Sequence, residues 1–153
     1  MVFKRVYIYL LFAILFVGST SLSFTCVAQK LASDDFVIIG NDIGIKTSST
    51  AHIKSIFRSK YSSWNNGQSV IIVLPSKKNQ SAASVSAYFY ETTITGVQKF
   101  WLSQVFQGRS NPPVFQDTDE EIIRYVEKNP GAIGVIRKSG QTINPAIIIN
   151  IIN

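Results

Sequence analysis

The sequence predicts an α/β protein, a single three-layer domain with a mostly parallel central sheet flanked by helices. Short unbroken apolar runs alternate with segments whose apolar residues recur at helical spacing, the order from which layered α/β domains are built. Hydrophobic residues make up 46% and charged residues 16% of the 153 positions, enough apolar side chain for a core and too little charge for a disordered chain. One cysteine, Cys26, and one histidine, His52, supply neither a disulfide scaffold nor a multi-Cys/His zinc site.

The first segment accounts for much of the apolar excess. Lys4 and Arg5 precede an apolar run from Val6 to Val17, and a Ser/Thr-rich stretch then ends in Cys26-Val27-Ala28. Small residues stand at both positions that a signal peptidase reads. A spanning helix needs about 20 apolar residues, more than this run provides. The expectation is a secretory signal over residues 1–28 and an exported domain over residues 29–153, with no stable membrane span after cleavage. Ser23-Phe24-Thr25 lacks the residues expected before a lipoprotein cysteine, so Cys26 is read as part of the signal. Cleavage removes Lys4 and Arg5 and lowers the formal charge from +6 to +4. No cysteine remains, so packing alone must hold the domain. Lysines and arginines are spread along the chain without a basic stripe, and no nucleic-acid partner is expected.

Phe36-Val37-Ile38-Ile39, ending at Gly40, is apolar at every position, as a central strand buried on both faces requires. Ile53, Ile56 and Phe57 mark the buried stripe of a first helix, with Ser48, Ser49 or Thr50 as its N-cap. Trp64-Asn65-Asn66-Gly67 reads as a turn. Val70 to Leu74 reads as a second buried strand stopped by Pro75, completing one βαβ unit. Val85, Tyr88 and Phe89 form one helical stripe; Val97, Phe100, Trp101 and Val105 form another, and Gly96 separates them. Gly108 and Pro112-Pro113 end the second helix. Thr118-Asp119-Glu120-Glu121 has the spacing of a capping box, in which a Thr hydroxyl and a Glu carboxylate each satisfy an N–H at a helix start. Ile122, Ile123 and Val126 are its buried stripe, and Asn129-Pro130-Gly131 its stop. Ala132 to Ile136 is a further strand whose glycines mark close approach. Ala146 to Ile152 is a last strand.

Three stretches carry a family resemblance. Ile56-Phe57-Arg58-Ser59-Lys60, followed by Trp64-Asn65-Asn66-Gly67, resembles the "IFxGK…WxDG" segment of phosphate-type periplasmic substrate-binding proteins. Phe100-Trp101 with Val105-Phe106-Gln107-Gly108-Arg109 is similar to the "W…IFxG" stretch of their short relatives, and Asn129 to Val135 resembles "TPGAIGYV". Order and spacing agree over residues 36 to 137. The resemblance implies one lobe of a type-2 periplasmic binding protein, a fold whose full-length members close two lobes around phosphate and deliver it to an ABC importer. Because that family is about twice as long, the resemblance implies a lobe whose cleft is open unless a second copy or an envelope protein completes it.

The family places its anion-binding loop, "RSDGSGTT", after the second strand, where Pro75 to Ala82 stands here. Pro75 takes the place of the anion-pairing Arg and Lys77 that of the Asp, while Asn79-Gln80-Ser81 replace Ser-Gly-Thr. Donors survive in Ser76, Lys77, Lys78, Asn79, Gln80 and Ser81, and the two lysines supply charge without the bidentate fork of arginine. These six residues, with the N–H groups around Ser81, are the expected ligand-binding set for phosphate or a related oxyanion. The competing reading of the same loop is a solvated basic turn that caps a helix through Ser81.

Other polar residues have structural readings. His52 lies in the first turn of a helix. Asp117, Asp119, Glu120 and Glu121 suit a helix start, where the dipole favours carboxylates, better than a metal site. Trp64, Trp101, Tyr88 and Phe89 are core candidates. Asn41-Asp42 follow the first strand at the carboxyl end of the sheet, where open α/β sheets bind ligands, and are a minor candidate. With one histidine and no paired acid–base residues, neither an enzyme nor a cofactor is expected. The function expected is that of a periplasmic oxyanion-binding protein similar to the substrate-binding component of a phosphate ABC transporter. The alternative is a ligand-less interaction or assembly module that retains the fold.

Overall fold

A computed structural model describes residues 35–138, 140 and 142–152. The expected signal over residues 1–28 lies outside the described residues. Six strands, β1 (Phe36–Gly40), β2 (Thr47–Ser49), β3 (Ile71–Pro75), β4 (Val114–Gln116), β5 (Ala132–Arg137) and β6 (Ile148–Ile152), form one sheet in the order β2-β6-β1-β5-β3-β4. The pairs β2–β6, β5–β3 and β3–β4 are parallel, whereas β1 is antiparallel to both its neighbours. Five strands therefore share a direction and β1 alone is reversed.

Alternation of side chains along the central strands builds a core on each face of the sheet. Phe36 and Ile38 of β1, Ile72 and Leu74 of β3, and Ile133 and Val135 of β5 point to one face. There they meet helix α1 (Thr50–Phe57), the α2 segment (Ala82–Val85) that widens into a π-helical stretch Ser86–Tyr90, and helix α3 (Ile94–Phe106). Ile39, Val73, Ala132 and Ile136 point to the other face and pack on Ile122, Ile123 and Val126 of helix α4 (Asp119–Lys128). The three layers and the mostly parallel sheet are those expected. Trp64, Phe89 and Trp101 are buried in the larger core, with Tyr88 packed against it.

Several local expectations also match. Ser49 is the N-cap of α1, accepting the His52 N–H, and Thr118 and Glu121 form the complete capping box of α4. At Trp64-Asn65-Asn66-Gly67 the Gly67 N–H donates to the Trp64 carbonyl (2.9 Å), with Gly67 at φ 83°. The Trp64 indole N–H donates to the Gly131 carbonyl (2.8 Å), tying this turn to the start of β5. Tyr90 fastens three helical segments: its hydroxyl donates to the Phe57 carbonyl (2.7 Å) and accepts the Trp101 indole N–H (3.0 Å). Burial pushes its phenol well above the ordinary tyrosine value.

The expected βαβ unit from β1 through α1 to β3 does not form. β1 and β3 run in opposite directions with β5 between them. After β1 the chain reverses through Asp42 (φ 51°) and Gly44 (φ 71°) into β2, a short polar strand that the apolar pattern did not mark. The parallel crossover thus begins at β2. Asn41-Asp42 consequently lie at the end of the sheet opposite to residues 76–81. The Asn41 N–H donates to Ala132, at the beginning of β5, and the Asn41 amide donates to the Glu127 carbonyl, so this minor candidate belongs to the scaffold.

Gly96 does not separate two helices either. The π-helical stretch ends at left-handed Glu91 (φ 57°), Thr93 caps α3, and Gly96 lies inside its first turn. A Cβ there would approach Thr92 Oγ1 to 2.2 Å, so the glycine serves a close contact. Val105, expected on the buried stripe, is exposed near the end of α3. Pro75 is the last residue of β3, and β6 begins at Ile148 after a 3₁₀ turn over Pro145–Ile147. Among the described residues no helix is long and apolar enough to cross a membrane.

Gly134, in the middle of β5, lets α4 approach closely. A Cβ at this position would lie 2.8 Å from Ile122 Cγ2 and 3.1 Å from Val126 Cγ2, both on stiff β-branched side chains. Gly134→Ala is expected to cost about 1–3 kcal/mol by overpacking. Thermal unfolding checks this, and an unchanged Tm would contradict the tight α4–β5 contact.

Candidate oxyanion site

Because β3, β4 and β5 are parallel neighbours in the sheet, their carboxyl ends bring together the loop 76–81, the segment 117–120 and Arg137-Lys138. Between them lies an open groove of about 740 Å³. Its lining carries Lys78, Arg137 and Lys138 against Asp117, Asp119 and Glu120, a formally neutral wall.

Four of the six expected ligand residues have partners within the protein. The Ser76 hydroxyl donates to Asp117 Oδ1 and accepts the Lys78 N–H (3.1 Å). Lys78 Nζ lies 3.2 Å from Asp117 Oδ2, an exposed ion pair of small energetic weight. Asn79 and Ser81 are buried, at 6% and 1% exposure, although both are polar. Asn79 Oδ1 accepts the Ser81 N–H (2.8 Å), which turns Asn79 Nδ2 toward Asp119 Oδ1 (3.0 Å). The Ser81 hydroxyl has one proton and lies within reach of Asn79 Oδ1 (2.7 Å) and Asp119 Oδ1 (3.0 Å). The other Asp119 oxygen, Oδ2, accepts the Arg137 N–H (3.1 Å). Ser81 therefore does not cap the following helix with its side chain. The remaining two residues, Lys77 and Gln80, are exposed, and their side chains have no partner among the described residues.

The loop is thus neither an empty nest nor a solvated turn. Its buried donors converge on a carboxylate, and hydrogen bonds to a charged acceptor are among the stronger ones a protein makes. The sequence marks the loop but not its partners: Asp117 and Asp119 suit a helix start, and no motif points to the Arg137 N–H. The visible signal is a further basic pair, Arg137-Lys138, at the end of a strand of the same sheet. Elsewhere, His52 Nδ1 lies 2.8 Å from the Ser48 hydroxyl, a contact between β2 and α1 remote from the groove in the sheet. Among the described residues no group of three His, Cys, Asp or Glu is arranged to hold a metal ion.

No family model and no curated protein matches the sequence. Solved structures do match in shape. PstS from Borrelia burgdorferi superposes with a TM-score of 0.55 at 13% identity, over 77% of this chain and 47% of that one. This is the fold of a binding-protein lobe. A possible phosphate binding protein from Planctomyces limnophilus gives a TM-score of 0.54 at 12% identity, over 78% of this chain and 42% of that one. An ABC-type phosphate transport receptor from Vibrio cholerae gives 0.50 at 13% identity, over 77% and 46%. The chain spans less than half the length of each of these neighbours. The Planctomyces limnophilus and Vibrio cholerae proteins are named for phosphate binding and phosphate transport.

The Asp117 carboxyl is held below the usual aspartate range, first by the Ser76 hydroxyl and then by Lys78. A group whose pKa is depressed on folding contributes stability that is present above its unfolded pKa and is lost as pH falls through the folded value. In an acid titration followed by carboxyl ¹³C shifts, Asp117 is expected to titrate below an ordinary aspartate. Ser76→Ala should move the midpoint upward; an unmoved midpoint would contradict the Ser76 contact.

Proposed function

We propose that the domain is an oxyanion-binding lobe of the phosphate-binding type, exported to the periplasm through the segment at residues 1–28. Phosphate or a related oxyanion is the proposed ligand, and the groove beside residues 76–81 its site. The observation that carries this reading is the convergence of Asn79, Ser81 and the Arg137 N–H on one pair of anionic oxygens, at the carboxyl ends of parallel strands. A cradle that holds a carboxylate has the donors an oxyanion needs. Gln80 and the side chains of Arg137 and Lys138, which line the groove without side-chain partners among the described residues, supply further donors and positive charge at the rim. The fold shared with phosphate-binding proteins supports the same ligand class. Since the groove is open, a second copy of the chain or an envelope protein is the proposed cover, and uptake through an ABC transporter the proposed setting.

A second reading has its own support. The donors of Ser76, Asn79 and Ser81 are already engaged by Asp117 and Asp119, as expected of an interaction or assembly module that keeps the fold without a ligand.

Titration of the protein with inorganic phosphate and sulfate, followed by ¹⁵N–¹H correlation spectra, separates the two readings. Under the first, amides at Lys77, Gln80 and Ser81 shift saturably in the millimolar range, and Lys77→Ala/Lys78→Ala weakens the response. Absence of a saturable shift with either anion overturns it. A stoichiometric envelope partner indifferent to phosphate would then support the second.

A further inference from the structure

We infer that Asp119 is an internal anion for this site: its carboxylate fills the position an incoming oxyanion would take, and so limits the affinity of the groove. The inference rests on the oxyanion reading proposed above and adds a residue that restrains it.

Asp119 is the first residue of α4, where a carboxylate ordinarily serves the helix's own free N–H groups. Here that work is done by others. Thr118 Oγ1 accepts the Glu121 N–H (3.1 Å), and Glu121 Oε2 accepts the N–H groups of Asp117 (3.0 Å) and Thr118 (3.3 Å). The Asp119 side chain turns instead to Asn79 Nδ2, Ser81 Oγ and the Arg137 N–H, which come from the β3–α2 loop and the end of β5. Asn79 Nδ2 has no other acceptor among the described residues. Without the Asp119 carboxylate the buried Asn79 amide would be left unpaired, a costly condition that a bound anion relieves.

Charge leads to the same conclusion. Three cationic and three acidic side chains line the groove, so removing the negative charge at position 119 turns a neutral wall into a cationic one. An external anion meets two obstacles in the native protein, the occupied donors and the repulsion of a carboxylate at the same point. Asp119→Asn removes the repulsion while keeping an acceptor oxygen, and Asp119→Ala removes both obstacles.

The test compares the native protein with Asp119→Asn and Asp119→Ala, using inorganic phosphate as probe in calorimetry and thermal unfolding. Both variants are expected to bind phosphate at least tenfold more tightly than the native protein, about 1.4 kcal/mol. Asp119→Ala should also have a lowered Tm that phosphate restores, because a ligand that binds only the folded state stabilises it. Adding Ser81→Ala to Asp119→Ala should abolish that recovery. A purely structural role for Asp119 would lower Tm without any phosphate-dependent recovery. If Asp119→Ala does not fold, Asp119→Asn carries the comparison. Variants that bind phosphate no more tightly than a native protein that does bind it overturn this inference and leave the oxyanion reading standing. If none of the three binds phosphate, the oxyanion reading itself fails.

Discussion

The position of β5 is the constraint on which both fold and site depend. Residues Ala132 to Ile136 are buried throughout, between antiparallel β1 and parallel β3. At its start, the Gly131 carbonyl accepts from Trp64 and from the Ile71 N–H, while the Gly131 N–H donates to Asn41. At its end the Arg137 N–H meets Asp119. In the middle, the absent side chain of Gly134 lets α4 settle against the sheet and carries Asp119, at the head of that helix, to the loop 76–81. A strand held on both edges and both faces has little freedom, so the donor at its tip is preorganised rather than adaptable.

Burial was legible in the sequence, but direction was not. Phe36 to Ile39, Ile71 to Leu74 and Ala132 to Ile136 are apolar at successive positions, or small where a helix packs, and that pattern reports two covered faces. It says nothing about which way each strand runs. β1 is reversed because the chain turns through Asp42 and Gly44 into β2, whose Thr47-Ser48-Ser49 has no apolar signature and joins the sheet through backbone pairing with β6. The short strand β4 is illegible for a related reason, since three half-buried residues at an edge leave too little pattern. Gly96 shows the opposite error. A glycine within an apolar pattern suggested a break, whereas the left-handed residue is Glu91 and Gly96 accommodates the Thr92 side chain.

The site was legible in one of its halves. Serines, lysines and amides after a buried strand identify a donor-rich loop, and the structure puts that loop on the groove. Its acceptors stand some 40 residues further along the chain: Asn79 meets Asp119 at a separation of 40 and Ser81 at 38. No local spacing rule relates such positions. The capping box also drew all the carboxylates of 117–121 into one explanation, although only Glu121 among them serves it. Asn79 and Ser81 are more buried than their polarity suggests, and such residues need partners from somewhere. That requirement, rather than any motif, connects the loop to the head of α4.

The resulting arrangement sets stability against binding. A carboxylate tethered to the same chain presents itself to the Asn79, Ser81 and Arg137 donors at an effective concentration in the millimolar range or above, so a free anion must exceed it or bind better. Phosphate has more oxygens and more charge than a carboxylate, and the side chains of Arg137 and Lys138 on the groove offer charge that Asp119 does not consume. The outcome therefore turns on whether the rim's positive charge outweighs the loss of the Asp119 contacts together with the repulsion from its displaced carboxylate. An exposed rim is screened within about 8–10 Å by physiological salt, whereas the buried Asn79 and Ser81 contacts are screened much less. An open groove thus favours the internal carboxylate. A cover that excludes water and salt strengthens the pull of the rim on a multivalent anion, and with it the case for displacement.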